Sequence, residues 1–347
     1  MSLSSNPESV LSSDPCKQLR KRLGKLKSIL FDRWPYAAAM AKVPKLRVAL
    51  REVVDALPPL PSAASSRYEL HMLCGHRDID MGILSSWSMM RFLDGRGRLI
   101  VHSDGSLDSE DERRWRAVVG RVDVVSREES DRAVDSAIGD TRELHAWRRS
   151  NWASAQLVDA HLFGDAPNLL ILDSDVLVFK KPEAVLAALD QSRSRLAWCE
   201  DLRNAYSGEI PMIREITGVT IPEKLCAGFL VTPRMTREDF HKLDRQMVRI
   251  REDRRIDVGH FWSCQTYYAL LAADFEGSAA LPATYRNTTG RTSANQVLRH
   301  YVGIPSVRFR YFTEGRGMLF GDPLRQAPVS SSSGPARRME LNTISVS

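Results

Sequence analysis

Eleven residues constrain the fold of this chain more than any others: Leu169-Leu170-Ile171-Leu172-Asp173-Ser174-Asp175-Val176-Leu177-Val178-Phe179. Four apolar residues in a row read as a strand buried on both faces, of the kind found inside an α/β sheet. Two carboxylates then arrive abruptly, and apolar sequence resumes directly after them. In extended chain, residues i and i+2 point to the same side, roughly 6–7 Å apart. Asp173 and Asp175 are therefore expected to project together from the sheet edge and to hold one hard cation between them. Left unpaired at the end of a buried strand, they would repel each other and resist ionisation. A divalent cation removes that cost and offers a positive site for phosphate oxygens. The alternative is a turn or capping pair that merely ends the strand, and the apolar sequence on both sides argues against it.

The rest of the composition bounds the class. At 347 residues the chain can bury a large core, as one big α/β domain or as a domain with an extension. Apolar residues at 43% and charged residues at 27% belong to a soluble globular protein. The five cysteines (Cys16, Cys74, Cys199, Cys226 and Cys264) are scattered and form no C-x-x-C pair. That favours a reducing cytoplasm and argues against a disulfide framework or structural zinc. No apolar run approaches the ~20 residues that span a bilayer, and the opening MSLSSNPESV lacks the apolar core of a signal peptide. The net charge of +6 is concentrated in residues 17–51, where eleven Lys or Arg face one acid, Asp32. The remainder of the chain is net negative, so no nucleic-acid partner is expected.

In chain order, residues 1–62 are expected to form a helical basic extension and linker. A Ser-rich, disordered start leads into helices interrupted near Pro35 and Pro44, with Pro58, Pro59 and Pro61 marking the linker. Leu19, Leu23, Leu26, Leu30, Leu46, Leu50 and Val53 recur at helical spacing among the cations. Such a helix either lies on an anionic membrane surface through residues 17–51 or packs on the following domain with a solvated basic face. From Tyr68 strands and helices alternate: strands at 68–73, 98–102 and 122–125, helices at 80–93 and 109–119. This pitch implies a mostly parallel, doubly wound sheet with ligands at the carboxyl ends of its strands. The loops 74–78 and 103–107 and the acids at 173 and 175 all fall on that rim. Further on, residues 140–163 read as helical, with Trp147 and Trp152 packed. A helix follows from Pro182, then strands at 196–199 and 225–231, helices at 236–250 and 259–273, and a last strand at 297–303. The glycine inside 225–231 marks close approach by a ligand or another backbone. The tail from 328 to 347 reads as disordered.

Taken in this order, the motifs resemble a nucleotide-sugar glycosyltransferase of the GT-A fold, most closely glycosyltransferase family 8, over about residues 66–320. In that family an Asp-x-Asp at a strand end binds a divalent metal and the donor's ribose and diphosphate, and Leu172-Asp173-Ser174-Asp175-Val176-Leu177 matches it. An Asn-x-Gly strand lines the transferred sugar and acceptor; here it reads Cys226-Ala227-Gly228. An Asp-Gln pair opens the next helix and touches the reacting sugar; here it is Cys264-Gln265. A His-x-x-Gly strand supplies the third metal ligand, matched by His300-Tyr301-Val302-Gly303. The family's Lys-Pro-Trp continuation is absent, leaving Arg308 or Arg310 for the phosphates. Where such families carry Lys or Arg before Asp-x-Asp, this chain has Gln156, with Arg148 and Arg149 upstream.

The resemblance implies a single GT-A domain, α/β and Rossmann-like, behind the basic extension. It implies an enzyme moving a sugar from a nucleoside-diphosphate donor, uridine diphosphate foremost, to a hydroxyl acceptor. The stereochemistry is expected to be retaining, and the acceptor to be a surface polysaccharide or glycolipid. Asp173, Asp175 and His300 are the expected ligands of Mn²⁺ or Mg²⁺. Cys74, Gly75, Arg77, Asp104, Asp173 and Gly228 are expected at the donor, and Gln265 at the reacting sugar. Glu200, Asp201 and Glu314 stand equal as acceptor bases. The expected location is the cytoplasm, with peripheral contact to the inner face of a membrane as one reading of residues 17–51. Two rivals remain: a haloacid-dehalogenase-like phosphohydrolase, whose motif also has two aspartates after an apolar strand, and a catalytically silent module binding membrane or a partner.

Overall fold

The computed structural model describes residues 35–61, 66–191, 195–303 and 305–320. The stretch 168–172 forms strand β4 (Asn168–Leu172), every residue of it buried. It lies at the centre of a seven-stranded sheet. Parallel partners build out on one side: β1 (Tyr68–Cys74), β2 (Gly97–Ser103) and β3 (Val122–Val125). On the other side come β7 (Leu225–Pro233), β6 (Ala197–Glu200) and the two-residue β8 (Ala279–Ala280). β7 runs antiparallel to both β4 and β6, so β6 points the same way as β4, and β8 is parallel to β6. Six of the seven strands therefore share one direction, and β7 alone is reversed. This is the α/β, Rossmann-like, mostly parallel architecture expected of the sequence. Its rim at the carboxyl ends of β1, β2 and β4 carries the polar loops.

Helices cover both faces. Between the strands run α2 (Ile79–Met90), α3 (Ser109–Val119), α4 (Arg127–Ile138), α5 (Arg142–Ser150) and the short α6 (Ser154–Val158). Beyond β4 come α7 (Glu183–Leu189), α8 (Ile210–Thr217), α9 (Arg237–Asp253) and α10 (Ser263–Asp274). One apolar cluster packs α2 and α3 on one face of the sheet, and a second packs α9 and α10 on the other. Capping fixes several starts. Asp108 and Asp111 form a reciprocal capping box at α3, and Thr236 and Asp239 form another at α9.

Four local expectations are corrected. Pro44 does not interrupt a helix: α1 runs unbroken from Pro35 to Asp55 with Pro44 inside it. Packing of its C-terminal half offsets the hydrogen bond that a proline removes, since Leu50, Val54 and Leu57 join the main core. Residues 140–163 are not one helix but two, α5 and α6, followed by a single 3₁₀ turn. Trp147 is buried there as expected, whereas Trp152 is 63% exposed. The third correction concerns the two aspartates. Asp173-Ser174-Asp175 is a turn rather than extended chain, closed by the Val176 amide on the Asp173 carbonyl at 3.2 Å. Finally, the last strand, β9 (Leu298–His300), does not join the main sheet. It pairs antiparallel with β5 (Val176–Val178) in a separate ribbon, with Val176 opposite His300. The chain then forms α11 (Pro305–Phe320).

Of the expected extension, residues 1–34 lie outside the described residues, as does the tail beyond 320. α1 itself packs on α2 and α11. Arg47 donates to the Arg77 carbonyl at 2.6 Å and to Asp78 Oδ1 at 2.9 Å, so one cation of the basic segment is committed to the loop after β1. No helix among the described residues is long and apolar enough to cross a membrane.

Candidate active site

The turn after β4 is held from three directions. Ser85 of α2 donates to the Asp173 carbonyl at 2.9 Å. Ser88 of the same helix accepts the Val178 amide at 3.0 Å, and Arg91 donates to the carbonyls of Val178 and Phe179 at 3.1 Å. From β7, the Gly228 carbonyl accepts the Asp173 amide at 2.8 Å. These bonds hold a tight turn whose side chains face the cleft, and they account for Ser85 and Ser88 on a largely apolar buried helix and for Arg91 at its end.

The β5–β9 ribbon completes the cluster. Because Val176 and His300 are register partners, His300 Nε2 comes to 2.9 Å from Asp175 Oδ1 and 3.5 Å from Asp173 Oδ2. One ligand atom from each of the three lies within 4.8 Å of the others. Gly228 is the wall behind them. A Cβ there would run into the His300 ring and sit 2.5 Å from Asp173 Oδ2, so only glycine lets β7 pass this closely.

The electrostatics of the three groups are tightly linked. Burial raises the Asp173 carboxyl to about 6, helped by Asp175 and opposed by His300, although a third of the side chain faces the cleft. Burial also acts to raise Asp175, but the imidazole of His300 and then Arg308 overcome it, and its carboxyl is held below the usual range. His300 is pushed well above the ordinary imidazole value, against burial, by Cys226 and Asp175. Two carboxylates and one imidazole within reach of a single point fit a divalent cation of the Mn²⁺ or Mg²⁺ kind.

The cluster forms the floor of a cleft of about 770 Å³. All nine residues singled out from the sequence line it: Cys74, Gly75, Arg77, Asp104, Asp173, Asp175, Gly228, Gln265 and His300. Gly75 and Asp104 meet at the ends of β1 and β2. The Asp104 amide donates to the Cys74 carbonyl at 3.2 Å, and a Cβ on Gly75 would lie 2.5 Å from the Asp104 carboxyl carbon. The Asp104 carboxylate accepts through Oδ1 from both the amide of Ser106, at 2.9 Å, and its hydroxyl, at 2.5 Å, and lines the cleft. Gln265, at the start of α10, accepts from the Ala227 amide at 3.4 Å and donates to Asp201 Oδ2 at 3.2 Å.

Other residues find their places only in three dimensions. Gln156 donates to Asp173 Oδ1 at 2.6 Å and to the Ala227 carbonyl at 3.2 Å, tying the two strand ends together. Arg308 reaches Asp175 Oδ2 at 3.1 Å, while its Nε is buried without a partner among the described residues. Arg310 is committed elsewhere, to Glu314 at 2.6 Å. Arg148 is fully buried on Asp159 and does not reach the cleft. Among the three carboxylates weighed as bases, Glu200 pairs with Arg286 and Glu314 with Arg299 and Arg310, so only Asp201 lines the cleft. The mouth carries Trp152, 63% exposed, and Phe261, 70% exposed, beside Trp262 with Arg203 stacked on it at 4.9 Å. The sequence pattern predicts Trp152 in a packed helix and Phe261 in the helix over 259–273, whereas both stand in turns just outside the helices.

No family model matches the chain, and no curated protein matches its sequence. Solved structures similar to it include several glycosyltransferases. The galactosyltransferase LgtC, in complex with donor and acceptor sugar analogs, is 12% identical; the match spans 74% of this chain and 98% of that one, with a TM-score of 0.44. The bifunctional glycosyltransferase WbbM is also 12% identical over 73% of this chain and 50% of that one, at 0.47. Core-mannan synthase A from Aspergillus fumigatus, in its Mn/GDP form, is 12% identical over 77% and 90%, at 0.41.

Proposed function

We propose that the protein is a metal-dependent glycosyltransferase, moving a sugar from a nucleoside-diphosphate donor, uridine diphosphate foremost, to a hydroxyl acceptor. The observation that carries this reading is the convergence of Asp173, Asp175 and His300 on one point at the floor of a large cleft. These three would hold Mn²⁺ or Mg²⁺, which supplies charge stabilisation to the departing diphosphate. Arg308 stands against the same carboxylate with an unpartnered buried Nε, suited to a phosphate oxygen. The loops after β1 and β2 would take the nucleoside, with Arg77 and the Asp104 carboxylate beside it. Gln265 would meet the transferred sugar at its reacting carbon, oriented by Asp201.

On the acceptor side, Trp152 and Phe261 offer apolar faces for a sugar ring, and Asp201 is the one of the three weighed carboxylates that lines the cleft, where it could meet the acceptor hydroxyl. We favour a retaining outcome, in which the leaving phosphate takes the acceptor proton and Asp201 serves alignment. Among the described residues Cys74, Cys199, Cys226 and Cys264 are free thiols, which fits a cytoplasmic protein acting on a surface-polysaccharide or glycolipid acceptor.

The test is a thermal-shift screen of nucleoside-diphosphate sugars with and without Mn²⁺. A donor present at about a hundred times its dissociation constant should stabilise the fold by about 2.7 kcal/mol, and only with the metal. If no nucleotide sugar stabilises the protein while a phosphate ester is hydrolysed, the phosphohydrolase reading replaces this one. Silence in both assays leaves a binding module.

A further inference from the structure

His300 has two ring nitrogens, and they face different chemistry. Nε2 looks toward the carboxylates of Asp175 and Asp173. Nδ1, on the opposite edge, meets Cys226 Sγ at 3.0 Å. The sulfur is itself held, since Asn287 Nδ2 donates to it at 3.6 Å. The same carboxamide accepts, through Oδ1, the His300 amide at 3.3 Å and the Cys199 thiol at 3.3 Å. Cys226, Cys199, Asn287 and His300 are all buried. One asparagine thus fixes both the backbone that carries the ring and the sulfur that touches it. Gly228, two residues along β7 from Cys226, closes the remaining side: a Cβ there would stand 2.8 Å from Nδ1.

An imidazole that gives one nitrogen to a metal keeps its proton on the other, and the partner of that proton sets the tautomer and the ring orientation. A carboxylate or a backbone carbonyl ordinarily fills that place. Here the atom within reach is sulfur.

We propose that Cys226 is a positioning residue: its sulfur accepts the Nδ1–H of His300 and so turns the Nε2 lone pair toward a cation held by Asp173 and Asp175. The inference rests on the metal-binding reading of this site. Sulfur is a weaker acceptor than a carboxylate. Asn287 acts one step further out, by fixing the sulfur.

The experiment is direct Mn²⁺ titration of the full chain, followed by the resonance of free Mn²⁺, for the wild type, Cys226→Val and Cys226→Ser. Valine is apolar, about one methyl group bulkier than cysteine, and accepts nothing, whereas serine restores an acceptor. Cys226→Val should weaken Mn²⁺ binding by about tenfold or more, the range for loss of such a partner, and Cys226→Ser should stay within about threefold of the wild type. The visible spectrum of the Co²⁺-loaded protein should change in the valine variant and not in the serine one. If Cys226→Val does not fold, by circular dichroism, Cys226→Ala takes its place in the same comparison. Wild-type affinity in the valine or alanine variant overturns the inference, as does a serine variant as weak as the valine one. A wild-type chain that binds no Mn²⁺ overturns the metal reading itself, and the inference with it.

Discussion

His300 Nε2 lies 2.9 Å from Asp175 Oδ1 because Val176 and His300 are partners across a two-stranded ribbon that stands apart from the main sheet. The ribbon brings a residue near the end of the folded body to the rim of its central strand. Arg308, from the helix that follows, closes on the other carboxylate oxygen at 3.1 Å. Asp175 is thus the hub of the cluster.

Replacing Asp175 by Asn removes a charge and leaves the size unchanged. Loss of a direct metal ligand costs more than loss of an outer partner, for which 10–100-fold is usual. Mn²⁺ affinity of Asp175→Asn is therefore expected to fall by at least about a hundredfold in a calorimetric titration, with glycosyl transfer lost in parallel.

Gly228→Ala forces a methyl group against Asp173 Oδ2 and the His300 ring. Overpacking of this kind costs about 1–3 kcal/mol. The urea midpoint should fall accordingly, and Mn²⁺ binding should be lost because the ring and carboxylate can no longer converge. Full affinity in this variant would show that the close approach of β7 is not what sets the site.

Asp104 and Gly75 form the far end of the cleft. Asp104→Asn keeps the shape and removes the charge, and it should weaken nucleoside-diphosphate binding about tenfold, about 1.4 kcal/mol. Mn²⁺ affinity measured without nucleotide should stay unchanged. Gly75→Ala, which displaces the same carboxylate, should give the same pattern.

Trp152 contributes little to the fold, being largely exposed. Trp152→Ala should leave stability within about 0.5 kcal/mol. Its effect should fall on the acceptor KM, which rises several-fold, and not on donor affinity. An unchanged acceptor KM in the Trp152→Ala, Phe261→Ala double variant would remove the aromatic mouth from the acceptor site.

Three imidazoles beneath the sheet make the fold acid-sensitive. His71 and His102 stack at 5.4 Å, with His71 Nδ1 3.0 Å from His102 Nε2. Burial lowers both to about 3, with Arg234 and Arg98 adding to the effect at His71, and lowers His161 well below its ordinary value. Glu69, 3.8 Å from His71, is engaged by Arg234 at 2.6 Å and does not reverse this. A depressed folded-state value means that the unfolded chain takes up protons first as the pH falls. Stability is then fully present above about 6.5 and declines toward pH 3, by about 1.4 kcal/mol per pH unit for each imidazole. Urea unfolding at pH 7.5 and 5.0 measures the slope, and His71→Leu combined with His102→Phe should flatten it.

Much of the site was legible because its parts are local. An apolar run ending in acids, polar loops after two strands and a glycine in a buried strand each carry their own signal, and the alternation of strand and helix says which end of the sheet they share. Seven residues chosen on that basis line the cleft, as do Gln265 and His300, which only the family resemblance singled out. The errors came where a long-range partner outweighs a local rule. Pro44 stays inside a helix that the core holds in place. Trp152 looks like core material and instead faces solvent.

The sequence by itself determined the central strand, the direction of the sheet's ligand-bearing edge and the residue types gathered there, since burial and periodicity are written in neighbouring positions. Only the tertiary structure decided that β9 leaves the sheet to pair with β5, that Gln156 and Arg308 close on the two aspartates, and that a cysteine stands behind the histidine. These depend on register between distant segments, and no pattern within a segment encodes the partner it will meet.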